Sequence, residues 1–206
     1  MTPRLLPYGD RALLVELADA AEVLACADVL RADASVGELV ADVVPGARTV
    51  LLVAAPGVGV EQLMQVPIGA GLTPPPSLEA SETIEIEVSY DGPDLADVAR
   101  LTGLSEDEVV VAHTGTPWRV AFGGFAPGFA YLVGGDPRLD VPRRETPRTR
   151  VPAGSVGLAG EFSGIYPRAS PGGWQLVGRA DVALWDLDRD PPALLAAGST
   201  VRFVAR

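Results

Sequence analysis

The sequence contains no lysine, and all sixteen basic residues are arginine. A chain without lysine has no P-loop lysine, cannot form a Schiff base through its own side chain, and cannot carry biotin. The single histidine, His113, and the single cysteine, Cys26, are too few for a zinc site built within one chain, and we predict no metal site. A lone cysteine also excludes an internal disulfide and favours a reducing cytoplasm. Cys26 itself is interpreted as a small buried hydrophobic residue.

Long apolar runs and excess positive charge are also missing. Hydrophobic residues make up 48% of the chain, but no run approaches the roughly 18–20 residues that a membrane span needs. The opening stretch MTPRLLPYGDRALLVEL lacks the pattern of a secretion signal. A net charge of −11 argues against a general nucleic-acid binder, because phosphate backbones attract basic surfaces. We therefore expect a cytoplasmic protein without nucleic-acid or membrane partners.

The first segment alternates strand and helix patterns, as is typical of an α+β domain. Apolar and β-branched runs predict three strands, and Ala/Leu-rich stretches predict two helices. In chain order these are strand 12–17, helix 19–33, strands 39–44 and 49–55, and a short helix near 59–66. The order β-α-β-β-α resembles a ferredoxin-like split unit.

Residues 67–81, PIGAGLTPPPSLEAS, contain four prolines and two glycines without apolar periodicity. Consecutive prolines favour an extended, semi-rigid connector. We place a domain boundary inside it, with an N-terminal domain over 1–76 and a second domain over 77–206.

The second segment begins with an alternating strand over 82–90 and a helical pattern over 93–104. Ser105 and Glu108 have the spacing of a capping box, which predicts that another helix begins there. Short strands broken by Gly and Pro follow, at 118–122, 155–160, 174–178, 182–187 and 200–206. This punctuation favours an antiparallel barrel or sandwich.

Five of the sixteen arginines lie within residues 138–150, namely Arg138, Arg143, Arg144, Arg148 and Arg150. In a fully extended chain Arg144, Arg148 and Arg150 project to one side and Arg143 to the other. Guanidinium groups bind carboxylates and phosphates in a bidentate way, so a small acidic ligand is one interpretation. Ion pairs with the chain's own carboxylates, or with a partner surface, are the other.

Two glycine-rich stretches carry most of the aromatic candidates. Phe125, Phe129 and Tyr131 lie in FGGFAPGFAYLVGG and could line a small pocket or pack in the core. In SGIYPRASPGGWQLVG, Tyr166 could donate a hydrogen bond to a ligand carbonyl, and Trp174 begins a strand. A hairpin stabilised by aromatic packing explains the same residues.

His113 is the only imidazole and lies at the end of a predicted helix, where the helix dipole favours a cation. A structural role and a catalytic role are both open for it. Ser155 is a further candidate, although the spacing supports no Ser-His-Asp triad.

Five motifs occur in a characteristic order: YGDRALLVE at 8–16, GPDLADVARLTGLSEDEVVVAH at 92–113, FAPGFAYL at 125–132, DPRLDVPRRETPRTRVPAGSVGLAG at 136–160 and GIYPRASPGGWQLVGR at 164–179. This series closely resembles the family that contains the B subunit of bacterial ATP-dependent 5-oxoprolinase. The family is also called allophanate hydrolase subunit 1 and includes the sporulation-kinase inhibitor KipI. The likeness covers nearly the whole chain.

The resemblance implies an N-terminal α+β domain followed by a cyclophilin-like β-barrel. It implies two partner chains, the 5-oxoprolinase C subunit, which is a second cyclophilin-like chain, and the A subunit. With these partners the chain would open 5-oxo-L-proline to L-glutamate. ATP would be a co-substrate of this complex and is not expected to bind to this chain alone. A kinase-inhibitor role like that of KipI, and an allophanate or urea-derived substrate, are the alternatives.

Candidate site residues follow from the motifs together with this chemistry. Arg148 or Arg150 is expected to hold the substrate carboxylate or a phosphate, with Arg143 and Arg144 as further anion ligands. His113, Ser155 and Tyr166 are candidates for proton transfer or carbonyl binding. The expected walls of the pocket are Phe125, Phe129, Tyr131 and Trp174. The sequence GEFSGIYP replaces the family's frequent GGQTGIYP, which leaves the exact substrate open.

Overall fold

The computed structural model describes residues 3–66, 68 and 83–206. The chain divides into two compact units, Met1–Ser77 and Leu78–Arg206. Apart from residue 68, the predicted connector at 67–81 lies outside the described residues, and so does the predicted boundary after residue 76. None of the helices in the described ranges has the length and hydrophobicity required to cross a membrane.

The first unit is a four-stranded antiparallel sheet packed against helices. Its described strands are β1 (Arg4–Pro7), β2 (Ala12–Glu16), β3 (Val40–Pro45) and β4 (Thr49–Ala54), and its described helices are α1 (Ala20–Ala32), α2 (Ala34–Leu39) and α3 (Val60–Leu63). The spatial order is β1-β2-β4-β3. β4 therefore lies between β2 and β3, which α1 and α2 connect, and this is the predicted split unit. The edge strand β1 was not predicted.

Alternation and capping explain these elements. Leu13 and Val15 in β2 are fully buried, as are Val50 and Leu52 in β4, so that one face of the sheet forms the core. The Asp19 carboxylate caps α1 by accepting a hydrogen bond from the Glu22 N–H at 2.9 Å. The helix predicted over 19–33 is thus confirmed, whereas α2 after it was missed.

The second unit contains nine strands and two α-helices over residues 83–206. The strands are β5 (Thr83–Val88), β6 (Trp118–Gly123), β7 (Ala130–Val133), β8 (Arg148–Val151), β9 (Ser155–Ala159), β10 (Phe162–Ile165), β11 (Ser170–Gly172), β12 (Gln175–Arg179) and β13 (Thr200–Ala205), and the helices are α4 (Leu95–Thr102) and α5 (Glu106–Gly115). A short 3-10 helix covers Pro137–Leu139. Seven strands form one sheet in the order β12-β9-β10-β7-β6-β13-β5, and β8 pairs with β11 in a separate ribbon.

The seven-stranded sheet is nearly closed into a barrel by the segment that follows β5. Ser89 and Arg179 exchange two backbone hydrogen bonds of 2.9 Å, and the Asp94 N–H donates to the Leu176 carbonyl at 2.9 Å. Gly92 lies between these contacts, and a Cβ there would overlap the backbone of residues 176 and 177. The predicted fold class, an α+β domain followed by a cyclophilin-like barrel, is confirmed.

Two details of the predicted barrel are wrong. β13 pairs with β5 in parallel, with Val201 opposite Ile84, so the sheet is not entirely antiparallel. The strand predicted at 182–187 makes only an isolated bridge, between Trp185 and Ala193. Its buried Leu184 instead belongs to the barrel core. An apolar run predicts burial, but a strand also requires a neighbouring strand with which to pair.

Candidate functional site

A small cavity of about 100 Å³, here called the aromatic cleft, lies among the glycine-rich motifs of the barrel unit. It is lined by Phe125, Phe129, Tyr131, Arg143, Tyr166, Pro171, Gly172, Gly173 and Trp174. Phe129 packs edge-to-face on Tyr166 and Trp174, with ring centroids 5.5 and 5.4 Å apart. The volume corresponds to about three water molecules. The pocket and core interpretations of these aromatic residues are therefore compatible, because the buried rings also line the cleft.

Tyr166 presents a hydroxyl against Gly172 on the wall of the cleft. A Cβ at Gly172 would overlap this hydroxyl, so the close approach requires glycine there. Burial raises the pKa of Tyr166, although the Trp174 backbone amide and the Arg143 charge act in the opposite direction. The phenol therefore stays protonated at neutral pH and can donate a hydrogen bond.

Phe125 lies at the mouth of the cleft in a strained conformation. Its φ is +63°, and it is the only non-glycine residue in the described ranges with a positive φ. It is the central residue of a γ-turn, in which the Ala126 N–H donates to the Gly124 carbonyl at 2.6 Å. The conformation costs about 1–2 kcal/mol, yet 58% of the residue is exposed. Strain of this kind is found mainly at functional sites.

Arg143 lies between the aromatic cleft and a larger open cavity of about 490 Å³, here called the arginine cavity. Asp97, Arg100, Leu101, Pro142, Arg143, Arg144, Glu145, Thr146 and Gln175 line the arginine cavity. The neighbouring Arg144 N–H donates to the Gly173 carbonyl at 2.8 Å and anchors this loop beside the cleft. Arg143 is exposed and makes no salt bridge within the described part of the chain. Its guanidinium is therefore available to an anion.

Asp94 organises the other arginines and was not singled out in the sequence. Its carboxylate accepts hydrogen bonds from Arg144 Nη1 at 2.6 Å, from Arg148 Nη1 and Nη2 at 2.8 and 2.7 Å, and from the Leu176 N–H at 2.7 Å. Burial alone would raise the pKa of Asp94, but the Arg148 hydrogen bond, the Leu176 N–H and the two positive charges lower it below its usual value. An acidic residue just before a helix looks like an ordinary helix-start residue, so no sequence signal identified it.

The predicted arginine cluster is consequently divided. Arg144 and Arg148 converge on Asp94, which fits the internal ion-pair interpretation. Only residues 148–151 of the expected extended run form a strand, because 142–147 is a loop. Arg150 is exposed, lines neither cavity, and makes no salt bridge to another described residue.

His113 and Ser155 lie outside the aromatic cleft. The His113 ring is completely buried, with Nδ1 2.7 Å from the Tyr90 hydroxyl and Nε2 2.9 Å from Ser163 Oγ. Burial lowers the pKa of His113 to about 3, so the predicted cation is wrong and the imidazole is neutral. Ser155 is 6% exposed and begins β9. Among the described residues, no group of three His, Cys, Asp or Glu side chains is placed to hold a metal ion.

Comparisons with known proteins match both units. A family model for the carboxyltransferase domain, subdomains C and D, covers residues 3–195. The 5-oxoprolinase B subunit from Escherichia coli O157:H7 is 52% identical over 127 residues, which span 60% of this chain and 58% of the relative. The crystal structure of TTHA0988 shares 36% identity with a TM-score of 0.74, over 95% of this chain and 40% of that chain. The conserved uncharacterized protein PH0987 from Pyrococcus horikoshii shares 33% identity with a TM-score of 0.58, over 98% of this chain and 97% of that chain.

Proposed function

The chain belongs to the family defined by subdomains C and D of the carboxyltransferase domain. From this membership we propose that it is the B subunit of an ATP-dependent 5-oxoprolinase that opens 5-oxo-L-proline to L-glutamate. The family resemblance stated from the motifs is confirmed by the identity of about one half to a 5-oxoprolinase B subunit. The match spans 58% of that relative, so activity, substrate and partners are proposals for this chain. The geometric observation that carries the proposal is the Arg143 guanidinium beside the aromatic cleft.

The residues that line the aromatic cleft match the chemical groups of 5-oxoproline, and a volume of about 100 Å³ admits part of the substrate. The substrate combines a carboxylate with a small lactam ring, and Arg143 offers a guanidinium that can bind a carboxylate in a bidentate way. Phe129, Tyr131 and Trp174 offer apolar faces to the ring. Tyr166 can donate a hydrogen bond to the lactam oxygen, because burial raises the pKa of the phenol and keeps it protonated at neutral pH.

The proposed reaction uses ATP to activate the lactam. Transfer of the γ-phosphoryl group to the lactam oxygen makes an acyl-phosphate-like species and releases ADP. Water then adds to the activated carbon, and the C–N bond breaks as the amine takes up a proton, which leaves an acyl phosphate. A second water hydrolyses this acyl phosphate to the side-chain carboxylate of glutamate and inorganic phosphate. We assign ATP to the complex and to no residue of this chain. His113 and Ser155 have no substrate contact in this proposal, because they do not line the cleft.

We also propose that the partner chains are the 5-oxoprolinase C subunit, a second cyclophilin-like chain, and the A subunit. Three apolar side chains are exposed near the mouth of the cleft and in the segment after β12. They are Phe125, Trp185 and Leu187, with exposures of 58%, 41% and 83%. A Cβ at Gly128 would lie 2.9 Å from Trp185 Cβ, which places Trp185 against the Phe125 loop. We assign this surface to the second cyclophilin-like chain and place the complex in the cytoplasm, where the only cysteine, Cys26, would stay reduced.

The test is reconstitution of the complex from purified chains, followed by 5-oxoproline-dependent ADP release. We expect no coupled turnover without this chain. Arg143→Gln should raise the KM for 5-oxoproline about 10- to 100-fold, since a hydrogen bond to a charged group is worth about 1.5–3 kcal/mol. Arg202→Gln is the control, because Arg202 is an exposed arginine of β13 that lines neither cavity.

Several outcomes would count against the proposal. Full coupling without this chain would exclude it from the enzyme, and an unchanged KM in Arg143→Gln would remove the assigned carboxylate site. Turnover of allophanate in place of 5-oxoproline would transfer the site to that substrate. Tight binding to a histidine kinase, without the second cyclophilin-like chain, would favour the inhibitor role instead.

A further inference from the structure

The arginine cavity has a local charge opposite to that of the whole chain. Three of its lining residues are arginines and two are carboxylates, Asp97 and Glu145, so the lining carries a net charge of +1 in a chain of −11. Asp97 is already paired with Arg100 at 3.2 Å. Arg144 and Arg148 share the single carboxylate of Asp94, so these three groups together keep a charge of +1. The cavity therefore favours an anion.

Two residues that line the cavity each have a side-chain atom that is buried without a hydrogen-bond partner in the described part of the chain, Arg144 Nε and Gln175 Oε1. Gln175 is only 6% exposed. Its Nε2 donates to the Pro142 carbonyl at 3.1 Å, which establishes which atom of the amide is the oxygen. Buried polar groups in native proteins nearly always have partners, so these two atoms point to a ligand.

The two atoms need hydrogen-bond partners of opposite kinds. Arg144 Nε is a donor and needs an acceptor, whereas Gln175 Oε1 is an acceptor and needs an N–H or O–H group. From this combination we infer that the arginine cavity binds a small oxyanion that also carries a proton donor, with hydrogen phosphate as the simplest case. Sulfate has a similar size and shape but no O–H group at neutral pH. The inference goes beyond the proposed function and does not depend on it.

The test measures binding of inorganic phosphate to the full chain alone by titration calorimetry, with sulfate as the matched ligand. We expect saturable phosphate binding at least about fivefold tighter than sulfate binding, which is the effect of one hydrogen bond. Equal affinities for phosphate and sulfate, or no saturable binding of phosphate, would overturn the inference. Failure of the 5-oxoproline assay would leave this result unaffected, because neither substrate nor partner chain is present.

Three variants locate the site, and Arg143 is left unchanged because it also lines the aromatic cleft. Arg100→Gln should weaken phosphate binding about threefold or more through the lost charge. Arg4→Gln is its matched control: both arginines are about equally exposed, at 70% and 71%, and each pairs with a carboxylate, at 3.2 and 3.3 Å. Arg144→Lys keeps the charge opposite Asp94 but removes Nε, and it should also weaken binding. Gln175→Leu should abolish the preference for phosphate over sulfate.

Thermal unfolding establishes that each variant is folded before its affinity is compared. If Gln175→Leu does not fold, Arg100→Gln and Arg144→Lys decide the question, because the charge opposite Asp94 is kept in both. Unchanged phosphate affinity in these two variants would exclude the arginine cavity as the site.

Discussion

Replacing Asp94 by alanine tests whether its carboxylate holds the barrel closure together. The carboxylate is 2% exposed and accepts hydrogen bonds from Arg144, from Arg148 and from the Leu176 N–H. Removal of the carboxylate leaves two guanidinium groups and one buried amide without their acceptor. Breaking a fully buried ion pair costs about 3–5 kcal/mol. Because the two arginine side chains keep 30% and 23% of their exposure, water screens part of this loss, and we expect about 2–4 kcal/mol.

Urea unfolding followed by tryptophan fluorescence is the suitable assay. All three tryptophans lie in the second unit, so the signal reports the barrel and not the first unit. Asp97→Ala is the matched control, because Asp97 lies in the first turn of α4, three residues after Asp94, and forms an ion pair with Arg100 in which the two side chains are 49% and 70% exposed. This exposed pair should contribute less than about 1 kcal/mol. Equal losses of unfolding free energy in the two variants would refute the assigned role of Asp94.

Four further predictions follow from the two cavities and the buried histidine. The pKa of His113 is depressed to about 3, so between pH 6.5 and pH 3 the unfolded chain binds a proton that the folded chain does not. The free energy of unfolding should therefore fall below pH 6.5 by about 1.4 kcal/mol per pH unit towards pH 3. His113→Gln should flatten this part of the pH dependence measured by urea unfolding, and an unchanged slope would contradict the prediction. Gly172→Ala should push the Tyr166 hydroxyl out of position and lower 5-oxoproline turnover at least about tenfold in the reconstituted assay. Phe125→Gly should relieve strain and change the unfolding free energy by less than about 1 kcal/mol while weakening co-purification with the second cyclophilin-like chain; unchanged co-purification would remove Phe125 from that surface. Glu145→Gln should tighten phosphate binding about twofold by calorimetry, and weaker binding would contradict the charge argument.

Several elements could be predicted because their signals are local. The apolar, β-branched run of β4 and the capping box at Ser105 concern residues a few positions apart, and both elements are present in the structure. The strand predicted at 182–187 is wrong because a single segment does not reveal whether a neighbouring strand exists to pair with it. β1 was missed for a related reason, since its role as an edge strand depends on pairing with β2.

The site was predicted in part. The aromatic residues of two separate motifs do line one cleft together with Arg143. Before the structure, only the family resemblance implied that these two motifs share one pocket. Residues 125–131 and 166–174 meet because β7 pairs with β10 and β10 pairs with β9, and neither pairing is visible in the sequence. The clustering of arginines identified the region, but the partner of each arginine could not be predicted from spacing.

Residue identity and short-range order were enough to predict most element types, the family, and the chemistries that a chain without lysine cannot perform. The pairing of Arg144 and Arg148 with Asp94, which lies 50 and 54 residues away, became visible only in the folded chain. The same holds for the neutral state of His113. Ionisation and ion pairing depend on burial and on charges that folding brings together from distant positions, and neither can be read from residues that are close in sequence.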